Sequence, residues 1–179
     1  VSWRRAVGVP AAALVLGLVV AGTGAWLAMR PAPTRVVRTT ISETPTTALT
    51  INGSDLDLAI TADGDRIVYT GNTGRDLFVR ALDTLEPTRL FAGTPRGPFV
   101  SPDSQWVGFV DNASTLKKVA ITGGPAATIA TEDGNSRGAV WLQGDVVVFA
   151  STSPTTGLQR VSAGGGDVTV LTRPDRAKG

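Results

Sequence analysis

Thr61-Ala62-Asp63-Gly64-Asp65-Arg66-Ile67-Val68-Tyr69 reads as a tight turn running into a strand. Gly reaches φ > 0 without steric cost, and Asp bonds to its own nearby backbone, so Asp63-Gly64 supplies the turn. Ile67, Val68 and Tyr69 have the β-branched and aromatic composition of a half-buried strand. Ser101-Pro102-Asp103-Ser104-Gln105-Trp106-Val107-Gly108-Phe109 repeats the pattern 40 residues later, and Gln143-Gly144-Asp145-Val146-Val147-Val148-Phe149 repeats it again. Tyr69, Phe109 and Phe149 fall in one column, Gly64, Ser104 and Gly144 in another. A fixed period near 40 with strand chemistry predicts a β-propeller, one blade per repeat.

The second halves of the repeats agree. Leu77, Leu116 and Leu158 each open a strand, and 13 residues on stand Leu90, Ile129 and Leu171. Turns lie between, at 83–87, 122–125 and 163–167. The divisions are about 56–96, 97–137 and 138–176, each offering four short strands. Nothing in residues 39–179 has a 3.6-residue apolar period, so no helix is expected there. The fold class is all-β: a partial propeller of about three four-stranded blades over 51–179, preceded by one transmembrane α-helix. Three blades alone would leave two open faces, so the sequence reads as a fragment of a longer propeller.

Residues 6–29 are 24 consecutive uncharged, mostly apolar positions, and about 20 suffice to span a bilayer as a helix. Arg4, Arg5 and Arg30 bracket the run, and Trp3 and Trp26 stand where interfacial anchors belong. Residues 1–30 are thus assigned to a membrane helix with basic flanks, its partner the lipid bilayer. The rival is a cleavable signal peptide, but the run exceeds a usual h-region and lacks a clean A-x-A site before Arg30. Charge does not fix the orientation. Residues 31–50 form a Thr/Pro-rich linker. Within it, Arg35 to Ile41 alternates well enough for one short strand that could pair with a propeller edge.

Residues 1–38 hold five arginines and no acid, and the remainder holds 12 basic and 15 acidic residues. The basic balance therefore belongs to the flanks of the apolar run, and no nucleic-acid partner is expected. The sequence has no Cys and no His, which removes thiolate chemistry, disulfides, and His bases and ligands. Asp55, Asp57, Asp63 and Asp65 read as turn and strand-edge acids, since their spacing does not match a Ca²⁺ loop. Gly164-Gly165-Gly166 is followed by no G-K-[ST] and reads as a hairpin turn. Lys117-Lys118 reads as a solvated strand edge, and Trp141 as a packing residue close to the turn column. Serines are plentiful, but no evident base supports a nucleophile. No cofactor, metal or catalytic residue is expected. The marked positions are the anchor flanks Trp3, Arg4, Arg5, Trp26 and Arg30, and the signature turns Asp63, Gly64, Pro102, Asp103, Gly144 and Asp145.

The turn-strand pieces resemble the repeat of TolB-like, WD-type bacterial β-propellers, whose signature is close to S-P-D-G before an apolar-aromatic strand. Ser101-Pro102-Asp103-Ser104 matches best, Thr61-Ala62-Asp63-Gly64 keeps the Asp-Gly, and Gly144-Asp145 departs most. The order of membrane helix, Thr/Pro linker and opening blade resembles the extracytoplasmic half of bacterial transmembrane serine/threonine protein kinases. The segments GPFVSPDSQWVGFVDNASTLKKVAITGGPA and GLQRVSAGGGDVTVLT carry that likeness. It implies six blades, a kinase domain upstream, and a non-catalytic sensor or interaction propeller outside the cytoplasmic membrane, binding an unknown protein or small molecule. No G-x-G-x-x-G-x-V, H-R-D or D-F-G occurs in the sequence itself. The alternatives are the propeller of a membrane-anchored peptidase and a periplasmic interaction scaffold.

Overall fold

The structure, a computed structural model, describes residues 16–24, 26, 46–51 and 56–175. The chain divides into two units, Val1–Arg38 and Thr39–Gly179. In the first, residues 16–24 are helical, with Leu16, Leu18, Val19 and Val20 exposed. Thr23 Oγ1 donates back to the carbonyls of Val19 (2.6 Å) and Val20 (3.1 Å). Among the described residues no helix is long and apolar enough to cross a membrane. Most of the 6–29 run, including its flanks Trp3, Arg4, Arg5 and Arg30, lies outside the described residues, as does the 35–41 strand.

In the second unit the alternating apolar pattern of each repeat forms one four-stranded antiparallel sheet. The first holds β1 (Leu58–Ile60), β2 (Arg66–Gly71), β3 (Asp76–Ala81) and β4 (Thr88–Ala92). The second holds β5 (Arg96–Val100), β6 (Trp106–Asp111), β7 (Thr115–Ala120) and β8 (Ala127–Thr131). The third holds β9 (Ser136–Leu142), β10 (Val146–Ser151), β11 (Leu158–Ser162) and β12 (Thr169–Val170). Each sheet runs in chain order from its first strand to its fourth. The first strands β1, β5 and β9 are neighbours across sheets, so they form the inner row of a radial, propeller-like stack. β5 and β9 open at Arg96 and Ser136, one or two residues ahead of the divisions drawn from the repeats. One 3₁₀ turn, Asn72–Gly74, interrupts the helix-free expectation. It closes the β2–β3 hairpin, where Asn72 and Thr73 take positive φ.

Side chains alternate across each pleat, and the alternation assigns every sheet two packing faces. Val68, Leu77 and Val79 of the first meet Val107, Phe109 and Val119 of the second. Val110 and Leu116 of the second meet Trp141, Val147, Phe149 and Val161 of the third. The column Tyr69, Phe109 and Phe149 is thus the anchor each blade turns toward what precedes it. Phe109 packs against Phe91 of the first sheet with the rings tilted at 45° and 4.7 Å between centroids.

Among the described residues no sheet lies in front of Tyr69. With Ile67 and Phe78 it packs against Leu49 and Leu82, and its hydroxyl donates to the Thr47 carbonyl at 3.0 Å. Leu49 also bridges to Gly71. The last residues of the linker therefore lie against the first blade, and the one tyrosine of the column stands where its hydroxyl meets a backbone carbonyl. Tyr69→Phe should cost about 1 kcal/mol by removing a bond to a partly buried carbonyl. Phe109→Tyr, which buries a hydroxyl against Phe91, should cost about 2 kcal/mol. Urea unfolding midpoints check both, and equal effects would contradict this division of roles.

Candidate functional site

Each sheet's first hairpin turn carries a signature, and two of the three share one construction. Thr61 Oγ1 donates to Asp63 Oδ1 (2.5 Å), which also accepts the Asp65 amide (3.0 Å), while Thr61 Oγ1 accepts the Arg66 amide (3.0 Å). Ser101, Asp103, Gln105 and Trp106 repeat these bonds at 2.5, 3.0 and 2.9 Å. The hydroxyl donor first, and the backbone amide second, hold Asp63 and Asp103 below the usual carboxylate range. The chain then turns through positive φ at Gly64 (77°), Ser104 (59°) and Gly144 (78°), the column read from the repeat. The third turn has Leu142 in the hydroxyl position, makes no such pair, and needs a second positive-φ residue, Asp145 (62°).

The turns of the second and third sheets converge on one cleft of about 220 Å³, lined by Ser101, Pro102, Asp103, Trp106, Trp141, Leu142, Gln143, Gly144 and Asp145. It gathers four of the marked turn residues and leaves Asp63 and Gly64 at the neighbouring turn, where the Asp63 amide meets Ser104 Oγ at 3.4 Å. Trp141 is buried, as a packing residue should be, and its ring lies 6.3 Å from that of Phe99. It also forms a wall of the cleft.

The sequence reading of Lys117-Lys118 as a strand edge is corrected. β7 is an interior strand, paired with β6 and β8, and its two lysines point to opposite seams. Lys117 Nζ bonds Asp111 Oδ2 at 2.8 Å and lies 5.0 Å from the Phe91 ring. Burial pushes the Asp111 carboxyl up, but Lys117 and Thr94 outweigh it and leave the group below its usual range. Lys118 Nζ lies 4.8 Å from the Trp106 ring centre and 6.0 Å from that of Trp141. Among the described residues it has no carboxylate partner. A half-buried ammonium rests on two indole faces, an arrangement that stabilises a cation electrostatically while leaving its N–H donors to be used.

The seam ends away from these turns carry a second set of polar contacts. Between the first and second blades, the Thr94 amide and hydroxyl donate to Asp111 Oδ1 at 3.0 and 3.1 Å. Between the second and third, Ser151 Oγ donates to Asp133 Oδ1 (2.5 Å), with Thr156 Oγ1 (2.6 Å) and Gln159 Nε2 (2.9 Å) on the same carboxylate. Those hydroxyl donors hold Asp133 far below the usual range. Its neighbour Glu132 is buried with neither carboxylate oxygen hydrogen-bonded. Burial lifts its pKa to about 7, against a pull from Ser136 and with a push from the Asp133 charge. Nothing in the sequence marked Glu132. Among the described residues no cluster of three or more acids could hold a metal.

No family model matches this sequence, and no curated protein matches it. Solved structures match in fold. TolB from Acinetobacter baumannii aligns at TM-score 0.55 and 21% identity over 65% of this chain and 32% of that one. The Cps50 (Swd1) β-propeller domain of Myceliophteria thermophila aligns at 0.56 and 11%, over 74% and 43%. An oligogalacturonate lyase from Vibrio parahaemolyticus aligns at 0.54 and 16%, over 66% and 40%. This chain spans less than half the length of these structures. The likeness is one of fold: a mostly β chain of three four-stranded sheets arranged as in TolB and WD40 propellers.

Proposed function

We propose that this chain is a non-catalytic interaction propeller, and that the cleft between the second and third blades is where it meets its partner. The observation that carries this reading is Lys118, a charge with no acidic partner among the described residues, set on Trp106 and Trp141 beside the two signature turns. Tryptophans in a cleft with a few convergent polar groups are the usual anchors of binding sites. In the fuller reading the module senses or binds a ligand outside the cytoplasmic membrane. Residues 6–29 anchor it, and a serine/threonine kinase domain precedes Val1. The exposed apolar side chains of 16–20, and the Thr23 hydroxyl satisfied within its own helix, suit a lipid surrounding.

The third blade's outward face supports a further blade. Val140, Leu142, Leu158 and Leu171 stand 45–48% exposed on it, whereas the matching face of the second blade is covered by the third.

The test is autophosphorylation of the full-length membrane receptor. Deleting residues 56–175, or the paired change Trp106→Ala with Lys118→Ala, should alter the ligand-responsive part and leave basal activity. Unchanged response in both variants removes the sensor reading. A coding sequence lacking H-R-D and D-F-G motifs upstream of Val1 removes the kinase. In that case a G-x-S-x-G motif after the last blade would favour the peptidase alternative, and its absence the scaffold.

A further inference from the structure

A second cavity lies at the opposite end of the inner strands. Leu56, Arg96 and Arg137 stand 40 and 41 residues apart, at the same place in three consecutive blades, just before β1 or within the first two residues of β5 and β9. All three line one cavity of about 110 Å³, with Phe99, Val110 and Ala139 among its other walls. Radial stacking brings these strand starts together, so a column in the sequence becomes a ring in space. The arginines share a local frame: each is followed by a glycine at positive φ, Gly97 (56°) and Gly138 (121°). No atom lies within 4 Å of where either Cβ would be. These glycines therefore answer a backbone demand and not a shortage of room. The β5–β6 pairing jumps from Arg96 to Phe99 at the same point, which separates the arginine from the strand's regular pleat.

The walls combine two chemistries. Phe99 and Val110 are buried members of the blade 2–blade 3 core, and Leu56 is an exposed aliphatic of the first blade. The two arginines, from adjacent blades, add planar guanidinium groups that match a carboxylate with paired, directed N–H donors. Among the described residues Arg137 has no acidic partner. We infer that this inner-strand mouth binds a small organic carboxylate, its apolar body against Phe99 and Val110 and its charged end between Arg96 and Arg137.

The probe is benzoate, titrated into the full chain and followed by amide chemical shifts. Saturable binding with a Kd of the order of 1 mM is expected, with shifts centred on Phe99, Val110 and Ala139. Benzamide, the neutral analogue, should bind about tenfold more weakly, because a charged acceptor roughly doubles the strength of a hydrogen bond. Arg137→Gln should weaken benzoate about tenfold, and Arg137→Lys, which keeps charge but not the fork, by less. Arg137 is exposed, so these variants should leave the unfolding midpoint unchanged, which separates a binding loss from a folding loss. Failure of benzoate to saturate overturns the inference. So does equal affinity for benzamide, or undiminished benzoate binding by a folded Arg137→Gln variant.

Discussion

Gly108→Val is expected to destabilise the propeller unit by about 3 kcal/mol, the upper part of the usual range for overpacking a core. Gly108 sits in the middle of β6 with the Phe99 ring laid directly over it, so an added Cβ would fall within the ring's van der Waals envelope. Its backbone has no positive φ, so the glycine is there for space alone. The opposed pairs at this position differ in how they divide the volume: Ala59 faces Val68, Phe99 faces Gly108, and Val140 faces Val148. Phe99→Ala alone should cost about 4 kcal/mol through the cavity it leaves. The double variant Phe99→Ala with Gly108→Val rebuilds the first blade's pair, and should be less destabilised than the sum by roughly 2 kcal/mol. Urea unfolding of the four proteins measures the cycle. Strict additivity would show that the two residues do not share one volume.

The second large effect is a pH dependence that runs against the usual direction for a carboxylate. Glu132 is buried without hydrogen-bond partners, and its pKa in the folded chain stands near 7 against an ordinary 4.5. Between those values the folded state binds a proton that the unfolded chain has released. Stability must therefore fall as pH rises from about 4.5 to about 7, by on the order of 3 kcal/mol, and stay low above. Glu132→Gln keeps the shape and removes the charge. The variant should match the parent near pH 4 and exceed it by most of that amount at pH 8. Asp133, Asp111, Asp103 and Asp63 act the other way. Their folded-state values are depressed, so what they contribute is lost only as pH drops below the ordinary carboxylate range. Thermal melts across pH 4–8 separate the two groups. A Glu132→Gln variant weaker than its parent at pH 8 would mean the carboxylate has a partner after all.

The architecture was legible because it is periodic. Tyr69, Phe109 and Phe149 repeat at a spacing only stacked units explain, and Gly64, Ser104 and Gly144 mark the same turn three times. What escaped was whatever differs between repeats. Lys117 and Lys118 look alike in a string of letters, yet strand alternation sends them into different seams, with Asp111 and Phe91 on one side and two tryptophans on the other. Glu132 sits at the position occupied by Gly93 in the first blade, where a Cβ would meet the Phe91 ring at 2.6 Å and an Asp111 oxygen at 3.0 Å. In the next blade Ala130 stands in the place of Phe91 and Ser151 in that of the aspartate, and Glu132 becomes possible. A single-sequence pattern shows the column but not the partner that lets it change. The Arg-Gly steps at 96–97 and 137–138 did leave a visible signal, a dipeptide echoed at the repeat spacing. Its meaning depended on knowing that strand starts meet around one axis.

The seams at Thr94–Asp111 and Ser151–Asp133 also write an order into the molecule. In the first, the connecting loop offers the hydroxyl and the following blade the acid. In the second, the roles are exchanged. A chain with the middle blade duplicated would set the loop carboxylate of Asp133 against a second copy of Asp111, two acids with no proton between them at neutral pH. A chain with the middle blade deleted would set Thr94 against Ser151, two hydroxyls and no charge. In the first case like charges would oppose each other, and in the second only a neutral hydroxyl pair would replace the charge-assisted contact. The three repeats are thereby not interchangeable, because the polar contacts of each seam suit one order of blades.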